Sequence, residues 1–509
     1  MHAEPPMGSA APTGGRLLAR NTLWNLIGQA GLVAAAFVSI PFIIRGIGPD
    51  RFGVLSLIWA LIGYMGLLDF GLGRALTQMV ARKLGSGDER NIPKLVWTSV
   101  VVMFVLGVAG AVGLIVATPW ATAHLLRVPS ELRSDAVRSL YVLAFAVPAV
   151  VVSAALMGLL EALQRFQVIN LLWMPAGIAS YVGAALIMPF SRSLVAVVAV
   201  LVVARNAMCI GLGIACGKAA PTLWRWRTID LATIPPLVRF GGWMTVSNVI
   251  SPLLVSLDRF LIAGTLSVAA VAYYATPLQA VSTLGIVPDA MARVLFPAFA
   301  LSLFGTEGRL RLLYQRGVKY TYLALFPLVI IIVSFAPEIL RVWLGEDFAD
   351  QGTGVMRWLA VGVLFNSLAR MPFALIQGAG RPDVTAKVHA IELPLYVVLL
   401  WWAMTRFGLV GAAAAWTARM AVDTTALFLL ASRVLPDVRG IGMRLFGPVV
   451  LAVAITAAVG TPHELLTRTA VCGAVLAVFG SVAWRAVMAA DEKRLILTRM
   501  GMGVAASIG

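Results

Sequence analysis

The feature that most constrains this chain is the recurrence of long apolar runs. Stretches of about 20 residues with almost no charge return about fourteen times, and a helix of that length spans the roughly 30 Å of hydrocarbon in a bilayer. They fall at approximately 18–45, 52–81, 95–119, 138–161, 167–189, 193–216, 238–264, 269–303, 317–336, 355–378, 384–405, 409–433, 445–461 and 467–488. Composition excludes the alternatives. Of 509 residues, 60% are hydrophobic and 12% charged, against about 25% charged in a soluble domain. That is too little polar surface to cover a water-soluble core, and a disordered chain is polar. The expected fold is all-α, a polytopic membrane protein with about 14 transmembrane helices. Pro277, Pro288 and Pro297 predict a kinked or broken helix in 269–303.

The charge between the runs sets the orientation. The net charge is +17, spread over short connections, which is the pattern of cytoplasmic loops and not of a nucleic-acid surface. With the N-terminus inside, 23 Lys and Arg fall on the cytoplasmic side, among them Arg82, Lys83, Arg165, Arg309, Arg381 and Arg433, and 10 fall opposite. Both termini are therefore expected in the cytoplasm. Residues 1–15, rich in Pro, Gly, Ala and Ser, read as a disordered arm, and the long first run as an uncleaved helix. The longest connections are expected around 120–137, 217–237 and 337–354, none large enough for a catalytic domain. Trp224-Arg-Trp-Arg227 in the second reads as an interfacial anchor. Cys209, Cys216 and Cys472 lie in apolar runs and read as small buried hydrophobes.

The chain repeats itself. An offset of 219 residues aligns Phe52-Gly-Val-Leu with Val271-Ala-Tyr-Tyr and Arg74 with Arg293. Glu161-Ala-Leu-Gln-Arg165 matches Gln377-Gly-Ala-Gly-Arg381 at an offset of 216, and Arg205 meets Arg419 at 214. The organisation expected is a six-helix bundle over 16–216, a cytoplasmic linker over 217–237 and a second bundle over 238–435. Residues 436–509 add two further helices and a tail. Six spans are an even number, so the bundles are related by a pseudo-twofold along the membrane normal.

Ionisable groups inside a membrane cost about 2.5–3.5 kcal/mol each on insertion scales and face a partner or a cavity. Asp69 and Arg74 lie in the second run, Asp258 and Arg259 in the seventh, and Asp289 and Arg293 in the eighth. Arg370 lies in the tenth, and Arg419 and Asp423 in the twelfth. Asp289 with Arg293, and Arg419 with Asp423, stand four residues apart on one helical face, where acid and base can neutralise each other. Asn25 and Gln29 share a face of the first run, and Asn248 lies in the seventh. A cavity lined by guanidinium groups suits phosphate or pyrophosphate, because Arg offers a fixed fork of donors. The carboxylates orient the arginines or bind a coupling cation, a proton or sodium. His389 and Glu392 share a face of the eleventh run and read as a buried structural pair, not a metal site. No GxxxxGK[ST] or HExxH occurs, so no cofactor, metal or nucleotide chemistry is expected, and no enzyme.

The stretch from Asn25 to Pro41, Gly46-Ile-Gly48, Phe52-Gly53, Leu67-Leu-Asp-Phe-Gly-Leu-Gly-Arg74, Leu257-Asp-Arg-Phe-Leu-Ile262 and Gly378-Ala-Gly380 with Arg381 resemble the bacterial polysaccharide flippases of the O-antigen exporter (Wzx) type. The resemblance implies two six-helix bundles, alternating access without an ATPase, and a cationic cavity. It implies transfer of an undecaprenyl-pyrophosphate-linked oligosaccharide from the cytoplasmic to the outer leaflet. On that reading Arg74 and Arg293 bind the pyrophosphate and Asp69 and Asp289 orient them. Asn25, Gln29 and Asn248 hydrogen-bond sugar. The last two helices serve the lipid tail, as in the related lipid II flippase. Membrane lipid, a polysaccharide polymerase and glycosyltransferases are the expected partners. A cation-coupled multidrug exporter of the same superfamily is the alternative and calls for an acidic or aromatic cavity. A membrane glycosyltransferase would need an acidic catalytic loop or a large extramembrane domain, and neither is present in the sequence.

Overall fold

A computed structural model describes residues 15–86, 88, 91–221, 230, 235, 254, 256–302, 308–435, 438, 464–488 and 493. The secondary structure among them is helical throughout. The chain divides into two units, Met1–Ala275 and Thr276–Gly509. The first holds α1 (Gly15–Met65), α2 (Leu72–Gly85), α3 (Ile92–Trp120), α4 (Ser130–Ala144), α5 (Val147–Ala162), α6 (Phe166–Leu186), α7 (Leu194–Ala219), a helix α8 over 256–265 and the start of α9 (Val268–Ser282). The second continues through α10 (Ile286–Ser302), α11 (Arg309–Leu344), α12 (Glu346–Gly378), α13 (Pro382–Val434) and α14 (Leu465–Val482).

Ten helical segments among the described residues are long and apolar enough to cross a membrane, and the protein is a multi-pass membrane protein. Two of these segments bend at a left-handed glycine, at Gly48 (φ 80°) in α1 and Gly408 (φ 59°) in α13. At each bend the sequence predicts one span ending and the next beginning. The expected spans 238–264 and 445–461 lie partly and wholly outside the described residues, as do the N-terminal arm through residue 14 and Trp224–Arg227. Many large apolar side chains, such as Val116, Leu171, Phe190 and Leu466, remain exposed. A water-soluble surface would not tolerate them in such numbers, and a lipid-facing one requires them. Several buried hydroxyls are satisfied within their own helices. Ser99, Ser153, Ser180, Thr321 and Ser334 each donate to the carbonyl four residues back.

Two expected loops are mostly helix. Helix continues from α3 through a π-turn to Leu125, and α4 starts at Ser130, so the connection expected at 120–137 shrinks to a few residues. Gly345 alone separates α11 from α12 where 337–354 reads as a connection, and its φ of 102° favours glycine. In both places polar residues, such as Glu131, Arg133, Glu346 and Asp347, extend a helix beyond its apolar length. Hydropathy marks the hydrocarbon and not the helix end.

Within the first unit α2 and α5 approach at their backbones. A Cβ at Gly158 would meet the Gly73 carbonyl oxygen at 2.5 Å, so only glycine permits this crossing. In the second unit α12 is the core helix, with Leu359, Val363, Leu364, Leu368, Met371 and Leu375 buried. Thr417 and Thr424 of α13 donate to its Trp358 and Phe365 carbonyls at 2.7 and 2.9 Å.

α11 is kinked at Phe335 (φ −110°) ahead of Pro337. Proline has no N–H to return to the Val333 carbonyl, and a freed carbonyl in a bilayer needs a donor. Two arginines supply donors here. Arg357 Nε donates to Val333 O at 3.1 Å, and Arg468 Nη1 to Ser334 O at 3.2 Å. Arg468 also grips Glu338 through both terminal nitrogens, at 3.2 and 2.8 Å, and so fastens α14 to α11.

Candidate functional site

The second expected span, 52–81, is interrupted. After Met65 a 3-10 turn covers Gly66–Asp69, and Phe70 (φ 47°) and Gly71 (φ 71°) are left-handed before α2 begins. Asp69 Oδ1 accepts the Gly71 N–H at 2.9 Å. Its carboxylate caps the break and faces the positive end of α2. Arg74 lies in the first turn of α2, is exposed, and stands within electrostatic reach of Asp69.

A second polar cluster in this unit joins α6, α7, α8 and α9. Asp258 is fully buried, and its carboxylate accepts the Tyr274 hydroxyl at 2.6 Å and the Arg259 N–H at 2.8 Å. Its side chain does not pair with that of Arg259, because adjacent helical positions point to different faces. Arg259 and Arg205 both lie within electrostatic reach of Tyr181. Tyr181 packs on Trp59 with ring centroids 4.9 Å apart, and Tyr64 on Phe260 at 5.6 Å. Among the described residues neither Arg205 nor Arg259 forms a salt bridge, and the buried Nε of each has no hydrogen-bond partner. Two guanidinium groups thus lie within electrostatic reach of Tyr181, and Arg259 also of Tyr64, with no salt bridge to a carboxylate among the described residues.

The second unit treats its charges differently. Asp289 Oδ1 of α10 meets Arg370 Nε of α12 at 3.0 Å, with both side chains partly exposed. Arg419 Nε stands 3.6 Å from Glu392 Oε2, and its guanidinium lies 5.2 Å from the centre of the Tyr396 ring. His389 Nε2 stands 3.6 Å from Asp423 Oδ1 and stacks on Phe373. Among the described residues Asp289, Arg419 and Asp423 each meet a partner on another packed segment, and the Arg293 side chain, the expected mate of Asp289, lies outside them. A charge between two segments is shielded from lipid on both sides, whereas a pair along one face is not. His389 and Glu392 likewise take partners on the other arm of α13 and do not pair with each other.

The side chains of Asn25, Gln29, Asn248 and Arg293 lie outside the described residues. The sequence reading noted Arg205 only as the repeat mate of Arg419 and gave Tyr181 no role. The signal for Arg205 was present, as an arginine in the apolar run 193–216 with no acid nearby.

The model of the family of polysaccharide biosynthesis proteins matches residues 18–302. The chain is also 31% identical over 427 residues to a putative O-antigen transporter of Shigella flexneri, covering 81% of this chain and 97% of that protein. The chain belongs to the polysaccharide biosynthesis protein family. Its fold is shared with solved membrane transporters. A multidrug resistance MATE family transporter in an inward-facing conformation superposes with a TM-score of 0.66 at 16% identity, over 80% of this chain and 95% of that one. The lipid II flippase MurJ in an inward closed conformation gives 0.65 at 12% identity, over 90% and 99%. The family match ends within α10, so it includes the Arg205–Arg259 cluster and stops before the His389–Asp423 cluster.

Proposed function

We propose that this protein is a flippase that carries an undecaprenyl-pyrophosphate-linked oligosaccharide from the cytoplasmic to the outer leaflet of the bacterial inner membrane. It does so by opening its binding site to one side and then the other, and it serves O-antigen, capsule or exopolysaccharide synthesis. The observation that carries this reading is the pair Arg205 and Arg259, two intramembrane guanidiniums without an acidic partner among the described residues. A pyrophosphate is the anionic part of such a lipid, and two forks of donors match its oxygens. Arg74, exposed beside the helix break, is a further contact, and Arg293 its repeat mate. Asn25, Gln29 and Asn248 are assigned to the sugars on their chemistry alone, and the polyprenyl tail stays in lipid. The similarity to an O-antigen transporter supports the same cargo class, and a relative of that kind is a transporter, not an enzyme.

The architecture that goes with this function has about fourteen spans, with two in α1, two in α13 and one each in 238–264 and 445–461. The excess of basic residues on one side supports cytoplasmic termini. An internal repeat is supported by breaks at matching places, Gly66–Asp69 before α2 and Thr283–Gly285 before α10. A polymerase and glycosyltransferases would act on either side of the transfer. A multidrug exporter shares the fold, but cationic drugs call for acids where Arg205 and Arg259 stand.

The test is a lipid extract from a strain lacking the gene. Build-up of one polyprenyl-pyrophosphate oligosaccharide, with loss of its surface polymer, is the expected result. Normal lipids with increased sensitivity to cationic dyes would replace the flippase by the drug exporter.

A further inference from the structure

Three groups in the second unit can converge on one ion. A ring nitrogen of His389 and one carboxylate oxygen each of Glu392 and Asp423 lie within 4.8 Å of one another. Glu392 and Asp423 are 7% and 5% exposed. Neither oxygen of Glu392, nor Oδ1 of Asp423, accepts a hydrogen bond among the described residues. Buried carboxylate oxygens lacking donors carry an unpaid electrostatic cost unless a cation joins them.

The charges around them are few. Arg419 supplies one positive charge 3.6 Å from Glu392, and Tyr396 offers its ring to the same guanidinium. His389 stands against Asp423, and the side chain stacked on it from α12 is the uncharged Phe373. Counted by formal charge among the described residues, two carboxylates against one guanidinium leave one negative charge in an apolar interior. One monovalent cation balances it, whereas a divalent ion would overshoot beside Arg419. An imidazole ligand disfavours sodium, which takes oxygen donors like other hard cations. It favours a proton, because His titrates near neutral pH.

We propose that His389, Glu392 and Asp423 form a binding site for one proton, held against Arg419 within the second unit. The proton enters from the His389 side, since that residue is the least buried of the three. When bound it is shared between the imidazole and the facing carboxylates and the cluster is neutral. When it leaves, the cluster keeps one net negative charge and the arms of α13 on either side of Gly408 lose part of their mutual attraction. A transporter with an anion site in one half and a proton site in the other can exchange the two. The proton site itself does not depend on the nature of the cargo.

The experiment uses purified full-length protein in nanodiscs with no glycan lipid, so its failure is separate from any failure of the flippase reading. Infrared difference spectra are recorded as pH is stepped between about 5 and about 9, across the range where imidazole and buried carboxyls titrate. The expected result is a titrating carboxyl band that is lost in Glu392→Gln or Asp423→Asn. His389→Gln should move its midpoint, and added sodium should leave it unchanged. Wild-type protein alone already tests the idea, should a variant fail to fold. Absence of a titrating carboxyl band overturns the proposal. So does displacement of the band by sodium chloride at constant pH, which would make the site a sodium site. Stoichiometric zinc binding that erases the band would make it a metal site and overturns it equally.

Discussion

The two units place the same residue in opposite circumstances. In the first, Arg205 and Arg259 sit among aromatic rings with no acid to answer them among the described residues. In the second, Arg419 faces Glu392, Arg370 faces Asp289, Arg357 answers the Val333 carbonyl that Pro337 leaves without its helical donor, and Arg468 donates to the neighbouring Ser334 carbonyl. Arg205 and Arg419 are repeat mates in the sequence, yet one lacks an acid and the other has one. The difference teaches that an intramembrane arginine is informative only together with its partner. Where the protein supplies the partner, the arginine holds helices. Where it does not, the proposed function assigns the partner's place to the anionic cargo.

Breaking the comparison from its structural side should give the largest effect. Arg468→Ala removes the donor to Ser334 O and leaves Glu338 without its partner, an expected loss of about 3 kcal/mol. The readout is a lower melting temperature in detergent together with poorer recovery of folded protein. An unchanged melting temperature would mean that the α11 kink needs no side-chain donors.

From the other side, Arg205→Ala and Arg259→Ala should leave folding intact and lower transport. Each charge-assisted contact is worth about 1.5–3 kcal/mol, roughly a tenfold to hundredfold loss. Lysine at either position should recover only part of that activity, since it lacks the fork. Normal transport in both alanine variants would move the anion site elsewhere.

The Asp289–Arg370 pair sharpens the comparison at smaller scale. Both side chains are partly exposed, so a double-mutant cycle should give a stability coupling of about 1 kcal/mol or less. A much larger coupling would class the pair with Arg468 as a fastener. The smallest effect belongs to Lys83 and Asp88, outside the membrane. The Lys83 ammonium, 2.6 Å away, holds the Asp88 carboxyl below its usual range. The contribution is therefore present at neutral pH and lost as pH falls through that lowered value, and salt should erase it. Asp88→Asn should leave the neutral-pH melting temperature unchanged at high salt.

The spans were legible in the sequence because crossing a bilayer is a one-dimensional requirement on length and polarity. Gly48 and Gly408, where α1 and α13 bend, each fall in the short gap between two expected apolar runs. Asp69 was legible as an unusual charge, but its role as the cap of a helix break was not. That role depends on the left-handed turn at Phe70 and Gly71. The partners were hardest to read. Glu392 meets Arg419, and Arg357 and Arg468 reach Pro337, only after helices have packed with a particular rotation about their axes. Periodicity along one helix does not contain that rotation. The clue to Arg205 is of another kind, the absence of an acid nearby in the run 193–216, which no acid–base spacing marks.

The central claim is that the chain moves a lipid-linked glycan by holding its pyrophosphate on unpaired arginines of the first unit. The direct measurement reconstitutes the protein into liposomes containing a polyprenyl-pyrophosphate oligosaccharide. It then follows how fast the glycan becomes accessible to an external glycosidase. The account predicts rapid exposure of the inner-leaflet glycan with the wild type, and exposure near the protein-free rate with the Arg205→Ala, Arg259→Ala double variant. Equal, rapid exposure by wild type and double variant would contradict the arginine mechanism, and no exposure above protein-free liposomes by either would contradict the flippase itself.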